Sequence, residues 1–99
     1  MKSQSRKRVA VIGARGIGRH HAKWWHREGA DVCAVVGTNE ESNRATVETL
    51  RGMFEFTGTP YTDLRAMLAA ESPDIVDVCS PNARHRDHVA TALEAGCDV

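Results

Sequence analysis

Three short apolar runs rich in β-branched residues punctuate the chain, and between them apolar positions recur every three or four residues. Val9-Ala10-Val11-Ile12 stops at Gly13, Val32-Cys33-Ala34-Val35-Val36 stops at Gly37, and Ile75-Val76-Asp77-Val78-Cys79 stops at Ser80-Pro81. Continuous rather than alternating hydrophobicity predicts strands covered on both faces. Thr59-Pro60-Tyr61 is a weaker strand signal, and Pro60 confines it to a sheet edge. The intervening stretches predict helices. Ile17, His21, Trp24 and Trp25 fall at i, i+4, i+7 and i+8. A second helix, from about Asn39 to Phe54, carries Thr46, Leu50, Met53 and Phe54 on one face, and Thr38 with Glu41 has the spacing of a capping box. Asp63 caps a brief third helix with Leu64, Met67 and Leu68 turned inward, which Pro73 ends. The fourth helix starts at Ser80-Pro81-Asn82, with an inner stripe of His85, Val89, Ala92 and Leu93 and a stop at Gly96. Cys97-Asp98-Val99 then reads as the opening of a fifth strand.

Strand and helix thus alternate with short connections. The pattern predicts an α/β fold, a Rossmann-like doubly wound parallel sheet with strand order 3-2-1-4-5 in a single domain. Ligands of such sheets sit beyond the carboxyl ends of the strands where the order switches, here strands one and four. The turn from Gly13 to Gly18 and the turn at Ser80-Pro81-Asn82 both fall there. Residues 8–99 form that domain, and residues 1–7 read as a basic, frayed tail.

Composition narrows the function. The 99 residues carry 13 basic and 13 acidic side chains, so the formal net charge is zero and no global field favours nucleic acid or an anionic membrane. Lys2, Arg6, Lys7 and Arg8 form a local basic run without aromatic interleaving, which argues against a nucleic-acid arm. No apolar run approaches the ~20 residues of a membrane span. Cys33, Cys79 and Cys97 are an odd, widely spaced set lying in or beside apolar segments. They are expected to be reduced thiols in a cytoplasmic protein.

The candidate chemistry is the binding of a phosphate-bearing nucleotide. A glycine turn between a strand and a helix lets the backbone approach a pyrophosphate, and the helix N-terminus receives its charge. Gly13, Ala14, Arg15, Gly16, Ile17 and Gly18 make up that turn. Its fingerprint positions hold Gly13, Arg15 and Gly18, so arginine replaces the middle glycine. Gly16 can restore some backbone freedom, and the Arg15 guanidinium can pair with a phosphate or lie solvated. At the end of the second strand, where a carboxylate would bond the adenosine ribose of NAD, stand Gly37, Thr38 and Asn39. With no carboxylate to repel a 2′-phosphate, the expected cofactor is NADP or NAD with a lean to NADP, unless Gly37-Thr38 is only a turn and cap and sets no choice. His85 on the inner stripe is either a packed histidine or a cofactor contact. His20, His26 and His88 are expected in solvent, and His21 packs beneath the turn. No metal site is expected, because the pair His85 and His88 lacks a further ligand at suitable spacing.

These residues resemble the glucose–fructose oxidoreductase, inositol dehydrogenase and rhizopine-catabolism (Gfo/Idh/MocA) family. The resemblance rests on the glycine turn with His21 three residues past Gly18, on Ser80-Pro81-Asn82-Ala83-Arg84-His85 after the fourth strand, and on Ala90 to Gly96. It covers the chain from Arg8 onward and departs from the family pattern at Arg15. It implies an NAD(P)-binding domain of an oxidoreductase acting on a sugar, polyol or related CH–OH group. Ser80, Pro81, Asn82 and His85 would then lie along the nicotinamide half of the cofactor. It further implies a Glu-Lys-Pro motif carrying a commonly catalytic lysine and a second, substrate-binding domain, both beyond Val99. The 99 residues therefore read as the cofactor half, with no catalytic residue of their own and with substrate contacts left to the second domain. The competing reading is a non-catalytic nucleotide-sensing or protein-interaction module. Apolar surface that a second domain would cover predicts self-association.

Overall fold

The computed structural model describes residues 7–14, 17–79, 82–94 and 96–97, with side chains at all of these except 17 and 82–87. The elements run β1 (Arg8–Ile12), α1 (Ile17–Arg27), β2 (Asp31–Val36), α2 (Glu40–Met53), β3 (Thr59–Tyr61), α3 (Leu64–Glu71), β4 (Ile75–Val78) and α4 (Asn82–Glu94). All pairings are parallel, and the sheet order is β3-β2-β1-β4. This is the expected winding, with β3 at an edge as Pro60 requires. Among the described residues the sheet has four strands. Of the fifth-strand segment, residues 98 and 99 lie outside them.

The pleat sorts the apolar runs into two cores. Val9, Val11, Val32 and Val35 face α1 and α2 and pack with Ala22, Val47 and Leu50. Ala10, Ile12, Ala34, Val36 and Val76 face α3 and α4 and pack with Met67, Leu68 and Ala92. A register shift after Val9 pairs Ala10 with Ala34 and leaves Cys33 as the extra residue. Cys33 and Ala34 both join the second core as a result. Burial on both sides is what a parallel sheet demands, and it accounts for runs without alternation.

Two local expectations shift. The cap of α2 is Asn39 rather than Thr38: the Asn39 side chain accepts from the Ser42 N–H at 2.7 Å. An asparagine oxygen one residue nearer the helix reaches the same kind of free amide, so a hydroxyl cap at Thr38 is not used. On α4, Ala92 is fully buried but Leu93 is 56% exposed. This helix packs on β4 and α3, and one residue further turns the side chain by about 100° from the buried Ala92. Asp63 caps α3 as expected, accepting from the Arg65 N–H at 3.0 Å. Gly96, at φ 84°, follows α4 in the left-handed conformation that suits glycine.

Candidate functional site

The glycine turn is built from both neighbours of β1. The Gly13 N–H donates to the Val36 carbonyl at 2.9 Å, and the Cys79 N–H donates to the Ile12 carbonyl at 2.8 Å. These bonds fix the end of β1 between β2 and β4. Gly13 has φ 78°, open to glycine and strained for other residues. Gly18 is required for a different reason. A Cβ there would lie 2.1 Å from the Gly13 carbonyl oxygen and 3.3 Å from the Cys79 Cβ. The first turn of α1 can therefore sit directly on the end of β1 only without a side chain. That close helix–strand approach is the role the last glycine of a dinucleotide fingerprint serves. Arg15 and Gly16 lie outside the described residues, as does the side chain of Ile17.

A cleft of about 500 Å³ opens at the carboxyl ends of the strands, within the range of small-molecule sites. Ile12, Gly13 and Ala14 line it from β1, and Val35 to Thr38 from β2. Ser42, Asn43 and Thr46 supply the wall from α2, with Thr62, Leu64, Cys79 and His88 opposite. Gly13, Ala14, Gly37 and Thr38 are thus brought together as expected. Asn39 caps α2 instead of lining the cleft. Ser80 and Pro81 lie outside the described residues. Asn82 opens α4, but its side chain and that of His85 also lie outside them. No aspartate or glutamate lines the cleft among the described residues.

Two polar residues that matter here were not singled out from the sequence. Asn43 is 5% exposed and donates from Nδ2 to the Tyr61 carbonyl at 2.8 Å. The same carbonyl accepts from the Gly37 N–H at 2.9 Å. Asn43 thereby ties α2 to the ends of β2 and β3. Its Oδ1 lies 2.1 Å from where a Cβ on Gly37 would stand. Its only sequence signal is an amide on the buried face of a helix, three residues before Thr46.

The second is Asp77, the lone acid in β4. Its Oδ2 accepts from Trp25 Nε1 at 2.9 Å and lies 2.9 Å from His21 Nδ1, while the Cys79 thiol donates to Oδ1 at 3.4 Å. Burial pushes the Asp77 carboxyl up, but the hydrogen bonds from Trp25, His21 and Cys79 outweigh it and hold the group below its ordinary value. The Cys79 thiol is pushed up to about 12 by burial and by the Asp77 charge. His21, Asp77 and Cys79 bring a nitrogen, an oxygen and a sulfur within 4.8 Å of one another. The 2.9 Å between His21 and Asp77 is a hydrogen-bond length, whereas two such ligands on a tetrahedral zinc would stand roughly 3.3 Å apart. The cluster reads as a hydrogen-bonded node that pins α1 to β4 beneath the glycine turn. His21 packs there as expected, although its side chain is 44% exposed.

The remaining histidines differ from expectation in part. His20 is exposed. His26 stacks on Phe54 at 4.7 Å and His88 lines the cleft, so neither is simply solvated. Cys33 and Cys97 are buried and Cys79 is half-buried, and the Cys97 thiol donates to the Pro73 carbonyl at 3.3 Å. Trp25 reaches inward to Asp77 while Trp24 is 53% exposed. No described helix is long and apolar enough to cross a membrane.

Comparison with known proteins agrees with this arrangement. The family model described as "Oxidoreductase family, NAD-binding Rossmann fold" (GFO_IDH_MocA) matches residues 7–99. The D-glucoside 3-dehydrogenase of Escherichia coli K12 is 37% identical over 94 residues, 93% of this chain and 25% of that protein. The inositol 2-dehydrogenase/D-chiro-inositol 3-dehydrogenase of Halalkalibacterium halodurans is 33% identical over 91 residues, 90% of this chain and 25% of that protein. Among solved structures, the myo-inositol dehydrogenase of Lactobacillus casei, in complex with NAD(H) and myo-inositol, superimposes with a TM-score of 0.77 at 28% identity, covering 91% of this chain and 26% of that one. The chain spans about a quarter of the length of the curated relatives it matches.

Proposed function

The chain belongs to the Gfo/Idh/MocA oxidoreductase family, and from that premise we propose that its cleft holds a nicotinamide dinucleotide for the oxidation of a sugar or polyol CH–OH group. The observation that carries the reading is the Gly13–Gly18 contact. The two glycines bring a helix N-terminus against the strand end at the mouth of a cleft, at the β1/β4 switch. A pyrophosphate seated there meets backbone N–H groups and the positive end of the α1 dipole. The nicotinamide, when bound, supplies hydride transfer at its ring carbon. The residues of this chain bind and orient it.

The rest of the reading is inherited from likeness. The E. coli and H. halodurans relatives are named for a glucoside and for inositols, both polyhydroxylated rings. Substrate contacts and the proton-transferring group belong, on this reading, to sequence beyond Val99. Arg15, Gly16, Ser80, Pro81, Asn82 and His85 keep their proposed places along the pyrophosphate and nicotinamide. The choice between NAD and NADP falls at the end of β2, where no carboxylate lines the cleft among the described residues and where Asn43 of α2 borders Gly37.

Gly18→Ala tests the central contact. Its Cβ meets a backbone carbonyl that cannot swing aside, so it should cost about 3 kcal/mol of stability. At a temperature where the variant remains folded by circular dichroism, NADH binding followed by cofactor fluorescence should be lost. Unchanged NADH affinity in folded Gly18→Ala would remove the turn from the site.

A further inference from the structure

Resting on the dinucleotide reading, the geometry points to Asn43 as the residue that distinguishes the two nicotinamide dinucleotides, in favour of NAD. A site that selects NAD ordinarily places a carboxylate at the end of β2, whose oxygen accepts from the ribose 2′-hydroxyl. Here a Cβ at position 37 would stand 2.1 Å from Asn43 Oδ1, so a side chain there would have to displace the amide that the Tyr61 carbonyl holds. The missing carboxylate is therefore the counterpart of an amide oxygen that occupies the same place from α2.

The orientation of that amide follows from its partner. The Tyr61 carbonyl can only accept, so the group bonded to it at 2.8 Å is the Asn43 NH₂. The oxygen is left facing the end of β2, and among the described residues it accepts no hydrogen bond. Asn43 is 5% exposed and lines the cleft. A buried acceptor without a donor is costly, and a ligand hydroxyl is the group that would satisfy it. A ribose 2′-hydroxyl can donate to it. A 2′-phosphate presents acceptor oxygens and cannot donate when fully ionised. The acceptor therefore does for NAD what a carboxylate does elsewhere, without carrying a charge.

The test is calorimetric titration of the 99-residue chain, and of its Asn43→Ala and Asn43→Ser variants, with NADH, NADPH and 2′-deoxy-NAD. The wild-type chain should bind NADH roughly tenfold more tightly than NADPH or the deoxy analogue, about the worth of one good hydrogen bond. Asn43→Ala should lose that preference while NADPH affinity changes little. A purely structural role for Asn43 would lower the melting temperature and leave the ratio of affinities alone. Asn43→Ser keeps a small polar group at the junction should the alanine variant not fold. Its hydroxyl is too short to span to the ribose, so it too should lose the preference. An unchanged NADH-to-NADPH ratio in folded variants would overturn the role of Asn43 and leave the dinucleotide reading standing. Tighter binding of NADPH by the wild-type chain would overturn it as well. Failure of the wild-type chain to bind any of the three would overturn both.

Discussion

At the scale of single residues, function and stability meet in a few polar groups set among apolar ones. Asp77 shows how. It sits in β4 opposite Val11, yet Trp25 and His21 of α1 and Cys79 just past the strand satisfy its carboxylate. Held below its ordinary value, Asp77 remains ionised in the folded chain at pH values where the unfolded chain takes up a proton. Its contribution is therefore present above the ordinary carboxylate range near pH ~3.9 and is lost as pH falls through the lower, folded value. Melting temperatures from pH 7 downward should fall more steeply for the wild-type chain than for Asp77→Asn across that window. Parallel curves would show that the node contributes nothing through charge.

Some of these residues were legible in the sequence and some were not, for a physical reason. Gly13 and Gly18 announce themselves because their constraint is local, a turn and a helix start five residues apart. Asn43 and Asp77 do not, because what gives them meaning is a partner 18 residues away in one case and 52 and 56 in the other. A lone acid in an otherwise apolar strand is still a signal, since a buried carboxylate requires donors. The same logic marks an amide on the inner face of an amphipathic helix.

At the scale of elements, periodicity was a good guide to what exists and a poorer one to which face lies inward. The three apolar runs became β1, β2 and β4, and even the proline-bearing β3 took the edge place that its missing N–H prescribes. The inner stripe of α3 at Leu64, Met67 and Leu68 also stood. The stripe assigned to α4 did not extend to Leu93, which stands about 100° round the helix from the fully buried Ala92. Trp24 shows the same incompleteness on α1, where its neighbour Trp25 takes the inward place. Trp24 and Leu93 stand exposed on helices that cover opposite faces of the sheet, and we propose that each offers a separate apolar contact for self-association. Sedimentation equilibrium should show average mass rising with concentration, and Trp24→Glu together with Leu93→Glu should abolish the rise. A wild-type mass independent of concentration would contradict it.

At the scale of the molecule, the winding order does most of the functional work. Reversing the sheet after β3 places β1 beside β4, and this is why a turn at residue 13 and a strand end at residue 79 share one cleft. Nothing in either segment alone specifies that meeting. It follows from right-handed crossovers and the alternation of strands and helices, which the whole chain displays. The adenosine end then depends on a junction of three elements, β2, α2 and β3, held through the Tyr61 carbonyl. The measurement that tests the account most directly is calorimetry of the purified chain with NADH and NADPH at one fixed, moderate salt concentration. The account predicts saturable binding of one molecule per chain, with NADH the tighter of the two. An absence of heat and of saturation with both cofactors would contradict it, leaving a dinucleotide fold that binds no dinucleotide.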